Sequence, residues 1–168
     1  SSEKRYEFID GVIYEMASPK TVHQQALGEL HYVFASWFRG KPCRPMLAPY
    51  DITLHRFAEN INVVQPDLMV ICDLEEKVNQ QGYYMGVPDL AVEILSESTR
   101  GKDCIKKMDL YLSTGVREYW IVNPFSEDVT VHRFEEQDLA DSRHFRTGDV
   151  AESFLFSGLM VPVQALFN

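Results

Sequence analysis

Two short apolar runs, each carrying one carboxylate, constrain this chain more than any other feature. Asp67 follows a proline and opens Pro66-Asp67-Leu68-Met69-Val70-Ile71-Cys72, and Glu93 sits inside Leu90-Ala91-Val92-Glu93-Ile94-Leu95. Runs this short and apolar, bounded by turn residues, read as buried strands. An isolated ion moved into an apolar medium costs on the order of tens of kcal/mol by Born solvation, so each carboxylate must be paired, neutralised or bound to a cation. Lys107 lies in the helix-like segment that comes next. Two acids and a lysine in this setting point to a divalent-metal site that works on phosphate esters.

Turn and cap signals order the rest of the chain. Tyr6-Glu7-Phe8-Ile9 and Val12-Ile13-Tyr14-Glu15-Met16 flank Asp10-Gly11, a two-residue hairpin turn. Ser18-Pro19 reads as the N-cap and first residue of a helix. Its apolar stripe is Val22, Ala26, Leu30, Val33, Phe34 and Trp37, and Gly40 and Pro42 end it. Residues 44–54 and 63–72 read as two strands separated by a polar turn around Glu59-Asn60, and 74–86 as a loop or short helix. Pro88 leads into the strand that carries Glu93. Ser98 or Thr99 can cap the next helix, which points Ile105, Met108 and Leu112 inward and ends at Gly115. Glu118 to Val122 is another buried strand, stopped by Asn123-Pro124, and the alternating stretch Val129 to Phe134 is a candidate to pair beside it. Residues 135–149 are polar and loop-like, and the apolar tail from Leu159 to Phe167 is expected to dock on the core. After the hairpin the central order is helix, strand, strand, strand, helix, strand. That order implies a layered α/β domain with a mixed sheet (α+β), and the length fits one domain over residues 1–168.

Composition narrows the function classes. No apolar stretch is long enough to span a bilayer, and Ser1-Ser2-Glu3-Lys4-Arg5 lacks the apolar region of a signal peptide. Cys43, Cys72 and Cys104 are widely spaced and odd in number, so buried free thiols in a reducing cytoplasm are expected. A net charge of −9 argues against a broad nucleic-acid surface. A local basic patch is compatible with it. Arg39, Lys41 and Arg44 form one small cluster, and Arg100, Lys102, Lys106 and Lys107 another nearer the presumed cleft.

Alternation along a strand puts Asp67, Met69 and Ile71 on one face, and Asp89, Ala91, Glu93 and Leu95 on one face of theirs. If the strands are neighbours, Asp67 and Glu93 converge. Their repulsion then calls for a cation, and Mg²⁺ suits one or two carboxylates completed by waters and phosphate oxygens. Each residue also has a structural reading. Pro-Asp is a common turn pair, Glu93 could simply bridge to Lys107, and Lys107 could pair with Asp103 on the helix surface. That last pair is worth only about 0.2–0.5 kcal/mol. His23 is read mainly as a helix-surface or core histidine, Glu15 as an exposed strand charge, and Asp51 and Asp89 as outer contacts at most. Tyr111 and Tyr119-Trp120 read as core aromatics.

At these residues the chain resembles the Uma-two family of restriction endonucleases, a branch of the PD-(D/E)XK nuclease superfamily. The resemblance rests on Tyr6-Glu7-Phe8-Ile9-Asp10-Gly11, Gln65-Pro66-Asp67-Leu68-Met69-Val70, and Val87 through Ser96 with Ser98-Thr99. Asp103, Lys107 and Tyr111 extend it, as does Gly115-Val116-Arg117-Glu118-Tyr119-Trp120. It implies a restriction-endonuclease-like core, with Asp67 and Glu93 as metal-binding acids. The superfamily lysine, expected two residues after the second acid, is here Leu95. The resemblance places it on the following helix, at Lys107. Lys106 is adjacent, but one residue turns a side chain about 100° around a helix, and Lys107 shares a stripe with Tyr111. The expectation is therefore a Mg²⁺- or Mn²⁺-dependent endonuclease acting on DNA, plausibly a homodimer because two strands call for two sites. The rival is a nuclease-fold binding or regulatory module without catalysis.

Overall fold

The computed structural model describes residues 4–97 and 102–168, without the side chains of residues 102 and 103. The proposed caps Ser98 and Thr99, and Arg100 of the second basic cluster, lie outside the described residues.

Asp10-Gly11 does form a tight turn, with φ of 49° and 82° at the two positions. It joins β1 (Arg5–Ile9) to β2 (Val12–Met16). The first helix, α1 (Thr21–Phe38), starts later than the Ser-Pro signal implies: Lys20 is its N-cap and no side chain caps it. Its buried stripe is His23, Ala26, Leu30, Phe34 and Phe38, while Val22 faces solvent.

Each of the two strands read over 44–54 and 63–72 is in fact broken at a proline. The first divides into β3 (Arg44–Leu47) and β4 (Ile52–Leu54), and the second into β5 (Asn62–Val64) and β6 (Leu68–Ile71). Proline has no N–H for a sheet ladder, so Pro49 and Pro66 interrupt both arms at the same level. The bend carries the hairpin from one sheet into another. β3 pairs with β6 in a six-stranded sheet of order β10-β9-β8-β7-β6-β3, and β4 with β5 in a four-stranded sheet of order β2-β1-β5-β4. The Ala48 N–H bonds the Asp67 carbonyl across the bend, at 3.1 Å.

The six-stranded sheet is mixed. β7 (Leu90–Ile94) runs antiparallel to β6 and parallel to β8 (Glu118–Asn123), and α3 (Lys102–Thr114) makes the crossover. A short helix, α2 (Leu74–Lys77), lies in the loop before β7. Two cores result. Leu68, Val70, Leu90, Val92 and Trp120 pack on the α1 side. Met69, Ile71, Ala91, Leu110, Tyr111 and Tyr119 pack between the α3 side and the four-stranded sheet. Ile105 is 71 % exposed rather than inward. Met108 and Leu112 pack against the core as expected, but the buried positions of α3 are Lys107, Leu110, Tyr111 and Thr114, of which Lys107 and Tyr111 answer a buried acid.

Residues 138–146 are a strand, not a loop: β10 (Asp138–Arg146) pairs antiparallel with β9 (Asp128–Glu135). Glu136 and Gln137 turn the chain with positive φ. Backbone bonds hold β10 with almost no side-chain burial, so it shows no apolar alternation to read. β11 (Val150–Glu152) and β12 (Met160–Pro162) form a small ribbon. The tail docks as expected, with Leu159, Val161, Val163 and Leu166 buried. Glu118 anchors the approach to it. This fully buried carboxylate accepts bonds from Trp120 Nε1, Ser153 Oγ and the N–H groups of Phe154 and Leu155 at 2.7–2.9 Å.

The expectation of three buried free thiols fails: Cys104 is half-buried and outside any disulfide. Cys43 and Cys72 form a disulfide, because the register that pairs Arg44 with Ile71 sets them opposite one another. Strand pairing brings together two cysteines that sequence spacing keeps apart. Among the described residues no helix is long and apolar enough to cross a membrane.

Candidate functional site

The β6–β7 register pairs Leu68 with Val92. Continued by one residue, it sets Asp67 opposite Glu93. Asp67 sits at the bend, just before β6. Its Oδ2 accepts the Ile94 N–H at 2.7 Å, and its Oδ1 lies 3.3 Å from His23 Nε2 at the start of α1. Glu93 Oε1 accepts the Tyr111 hydroxyl at 2.7 Å and Lys107 Nζ at 3.0 Å. The two α3 residues are one helical turn apart, which is why both reach the same oxygen. Asp67, Glu93 and Lys107 therefore line one cleft of about 340 Å³, with side chains only 13 %, 15 % and 11 % exposed.

A further carboxylate joins them. Glu7 Oε2, from β1, lies 2.6 Å from Lys107 Nζ and accepts the Gln65 N–H at 2.8 Å. Glu7 was not singled out in sequence, because one glutamate on a hairpin strand looks like any solvated strand charge. His23 is also drawn in, although a core or surface role was the expectation. Its sequence signal was its place at the head of the α1 stripe, one turn before Ala26.

Two carboxylates, Glu7 and Glu93, thus face one buried ammonium, while Asp67 pairs with His23. Burial pushes the Glu93 carboxyl up to about 7, with Asp67 and Glu7 adding to the rise and Lys107 opposing it. Burial works against the Lys107 charge, yet Glu93 and Glu7 outweigh it and hold the ammonium protonated well beyond its ordinary range. For His23, burial again opposes the charge, and Asp67 more than compensates, so its pKa is raised. Tyr111 is held neutral by burial and by Glu93.

The donor set fits a small, hard divalent cation. Asp67 and Glu93 offer oxygens, and the bonds Glu93 accepts from described residues both fall on Oε1. Among the described residues no group of three or more His, Cys, Asp or Glu side chains is arranged to hold an ion alone. Mg²⁺ and Mn²⁺ sites of one or two carboxylates completed by water have no need of such a cage.

The remaining candidates take other partners. Lys106 also lines the cleft but bonds the Tyr14 hydroxyl at 2.5 Å, one residue's rotation around the helix from Lys107. Asp89 pairs with Arg117, Asp51 accepts from Gln65 Nε2, and Glu15 pairs with Lys4 at the cleft mouth. Lys41 of the first basic cluster lies over the Trp37 ring and bonds its carbonyl. Tyr119 and Trp120 are core residues.

Comparison with known proteins follows the geometry. A search of curated proteins found no match. Among solved structures the chain resembles the crystal structure of a "putative nuclease belonging to DUF820" from Anabaena variabilis. The TM-score is 0.78 at 20 % identity, over 96 % of this chain and 89 % of that one. At that identity the likeness speaks for the mixed α+β fold. The family model named Uma2, with the description "Putative restriction endonuclease", matches residues 1–164. The chain belongs to the Uma2 family.

Proposed function

We propose that this protein is a divalent-metal-dependent endonuclease that hydrolyses phosphodiester bonds in DNA. The family description and the structural neighbour both speak for a nuclease. The observation that carries the finer reading is the convergence of two little-exposed carboxylates from separate segments, Asp67 and Glu93, on one cleft that also holds the buried Lys107. Like charges brought together in this way repel, and a divalent cation between them relieves the repulsion.

In this reading Asp67 and Glu93 hold Mg²⁺ or Mn²⁺. When bound, such an ion acidifies water and polarises phosphate oxygens. The protein's own groups do the rest. The Ile94 N–H and His23 fix the Asp67 carboxylate, and Tyr111 fixes Glu93. Lys107 Nζ, one methylene chain deep in the cleft, offsets the negative charge that grows on the phosphoryl oxygens as the bond breaks. The low exposure of these side chains limits bulk water and strengthens every such interaction. A homodimer supplies the second site needed to cut both strands.

The test is DNA cleavage by purified protein with Mn²⁺, against Asp67→Ala, Glu93→Ala and Lys107→Ala variants shown by circular dichroism to be folded. Cleavage by the parent, lost in all three and in EDTA, is the expected result. Full activity of Glu93→Ala removes that residue, and activity unchanged in EDTA removes the metal. Mn²⁺ binding without cleavage favours the non-catalytic binding module.

A further inference from the structure

The hairpin segment Tyr6 to Gly11 carries part of the family resemblance, yet the proposed chemistry gives it no task. Glu7 and Ile9 are its residues on the cleft lining, and Glu7 is the charged one. Its side chain is 8 % exposed, and its Oε2 lies closer to Lys107 Nζ (2.6 Å) than Glu93 Oε1 does (3.0 Å). The same oxygen accepts the Gln65 N–H, two residues before Asp67, so Glu7 is itself fixed to the segment that bears the first acid.

We infer that Glu7 is a positioning residue. It anchors the Lys107 ammonium to one side, so that Glu93 can turn to a cation while the lysine stays in the cleft. A lysine on the strand beside the second acid would be aimed by the strand itself. Lys107 arrives instead from a helix on a long flexible stem, and an ammonium has no preferred direction of its own. Without Glu7, Glu93 is the remaining carboxylate partner of Nζ among the described residues, and the ammonium competes there with the metal.

This inference rests on the metal reading of the site, and one experiment separates the two. Mn²⁺ binding is measured by titration calorimetry on the parent, Glu7→Gln, Lys107→Met and the double variant, each at a temperature where it is folded. Glu7→Gln is expected to weaken Mn²⁺ binding roughly tenfold or more when Lys107 is present. In the Lys107→Met background the same change is expected to cost only the few-fold loss of a nearby negative charge. Glu7→Asp, which keeps the charge but withdraws it, should show a smaller loss that also depends on Lys107. It serves in place of Glu7→Gln should that variant not fold. Equal losses in both backgrounds would make Glu7 a ligand, and no loss in either would make it purely structural. Each overturns the inference while leaving Asp67 and Glu93 as metal acids. A parent chain that binds no Mn²⁺ overturns both.

Discussion

Lys107→Met tests the electrostatics of the site without any assumption about substrate. The methionine keeps most of the apolar stem, so lost packing is small. What disappears is the charge 2.6 Å from Glu7 and 3.0 Å from Glu93, at a side chain only 11 % exposed. Removing one partner of a buried ion pair costs about 3–5 kcal/mol. Glu93 already sits at about 7 and rises further without its cation, so proton uptake relieves part of the repulsion and favours the lower end. For a chain of this size each kcal/mol moves the melting temperature by roughly 2–4 °C, which predicts a drop of roughly 6–12 °C in EDTA for a loss of about 3 kcal/mol. A cation bound between the acids replaces the missing charge. At about 100 times its Kd, Mn²⁺ stabilises by about 2.7 kcal/mol, so it should recover most of the loss. Thermal melts followed by circular dichroism, with EDTA and with Mn²⁺, measure both effects. A variant that melts with the parent in EDTA would show that Glu7 and Glu93 do not feel this ammonium. Equal Mn²⁺ stabilisation of parent and variant would show that the ion binds elsewhere.

Other expectations concern the frame around the site. A Cβ on Gly86 would lie 2.5 Å from the Tyr84 hydroxyl oxygen, and Tyr84 is buried and bonded to Asp73. Gly86→Ala should therefore destabilise by about 1–3 kcal/mol in chemical denaturation, as overpacking does, and an unchanged midpoint would contradict the packing. Glu118→Ala strands four donors, from the buried Trp120 and Ser153 and the partly buried Phe154 and Leu155. At about 1–3 kcal/mol for each unmet donor, a loss of at least about 3 kcal/mol and early hydrogen exchange at the Phe154 and Leu155 amides are expected. Retained protection there would refute the anchoring role. Breaking the Cys43–Cys72 link, which closes a 29-residue separation, by Cys72→Ser should cost about 3–4 kcal/mol on the chain-entropy account. Mass spectrometry of the unreduced parent should find only Cys104 open to alkylation under denaturing conditions, and three alkylated cysteines would contradict the bridge.

The acids were legible because a charge inside an apolar run has few inexpensive explanations, and because strand alternation fixes which face it takes. Lys107 came from the family resemblance, and its helical stripe with Tyr111 favoured it over Lys106. Where reading failed, the deciding contact was tertiary. Pro49 and Pro66 were visible, but that they break the two arms of one hairpin at the same level depends on pairing between them. Ile105 seemed the better inward residue on hydrophobicity, yet the α3 face turns Lys107 and Tyr111 toward buried carboxylates contributed by β1 and β7. Glu7 meets Lys107 across 100 residues of chain, and no local pattern announces such a contact. Cys43 and Cys72 were misjudged for the same reason. β10 carries its register in backbone bonds, which leave no mark on composition.

The account turns on whether Asp67 and Glu93 hold one divalent ion between them. Calorimetric titration of the folded parent, Asp67→Asn and Glu93→Gln with Mn²⁺ measures this most directly. Saturable binding to the parent, lost or weakened at least roughly 100-fold in both variants, is the predicted result, in line with removal of a charged ligand from a partly buried site. Undiminished binding in either variant, or no binding to the parent, would contradict it.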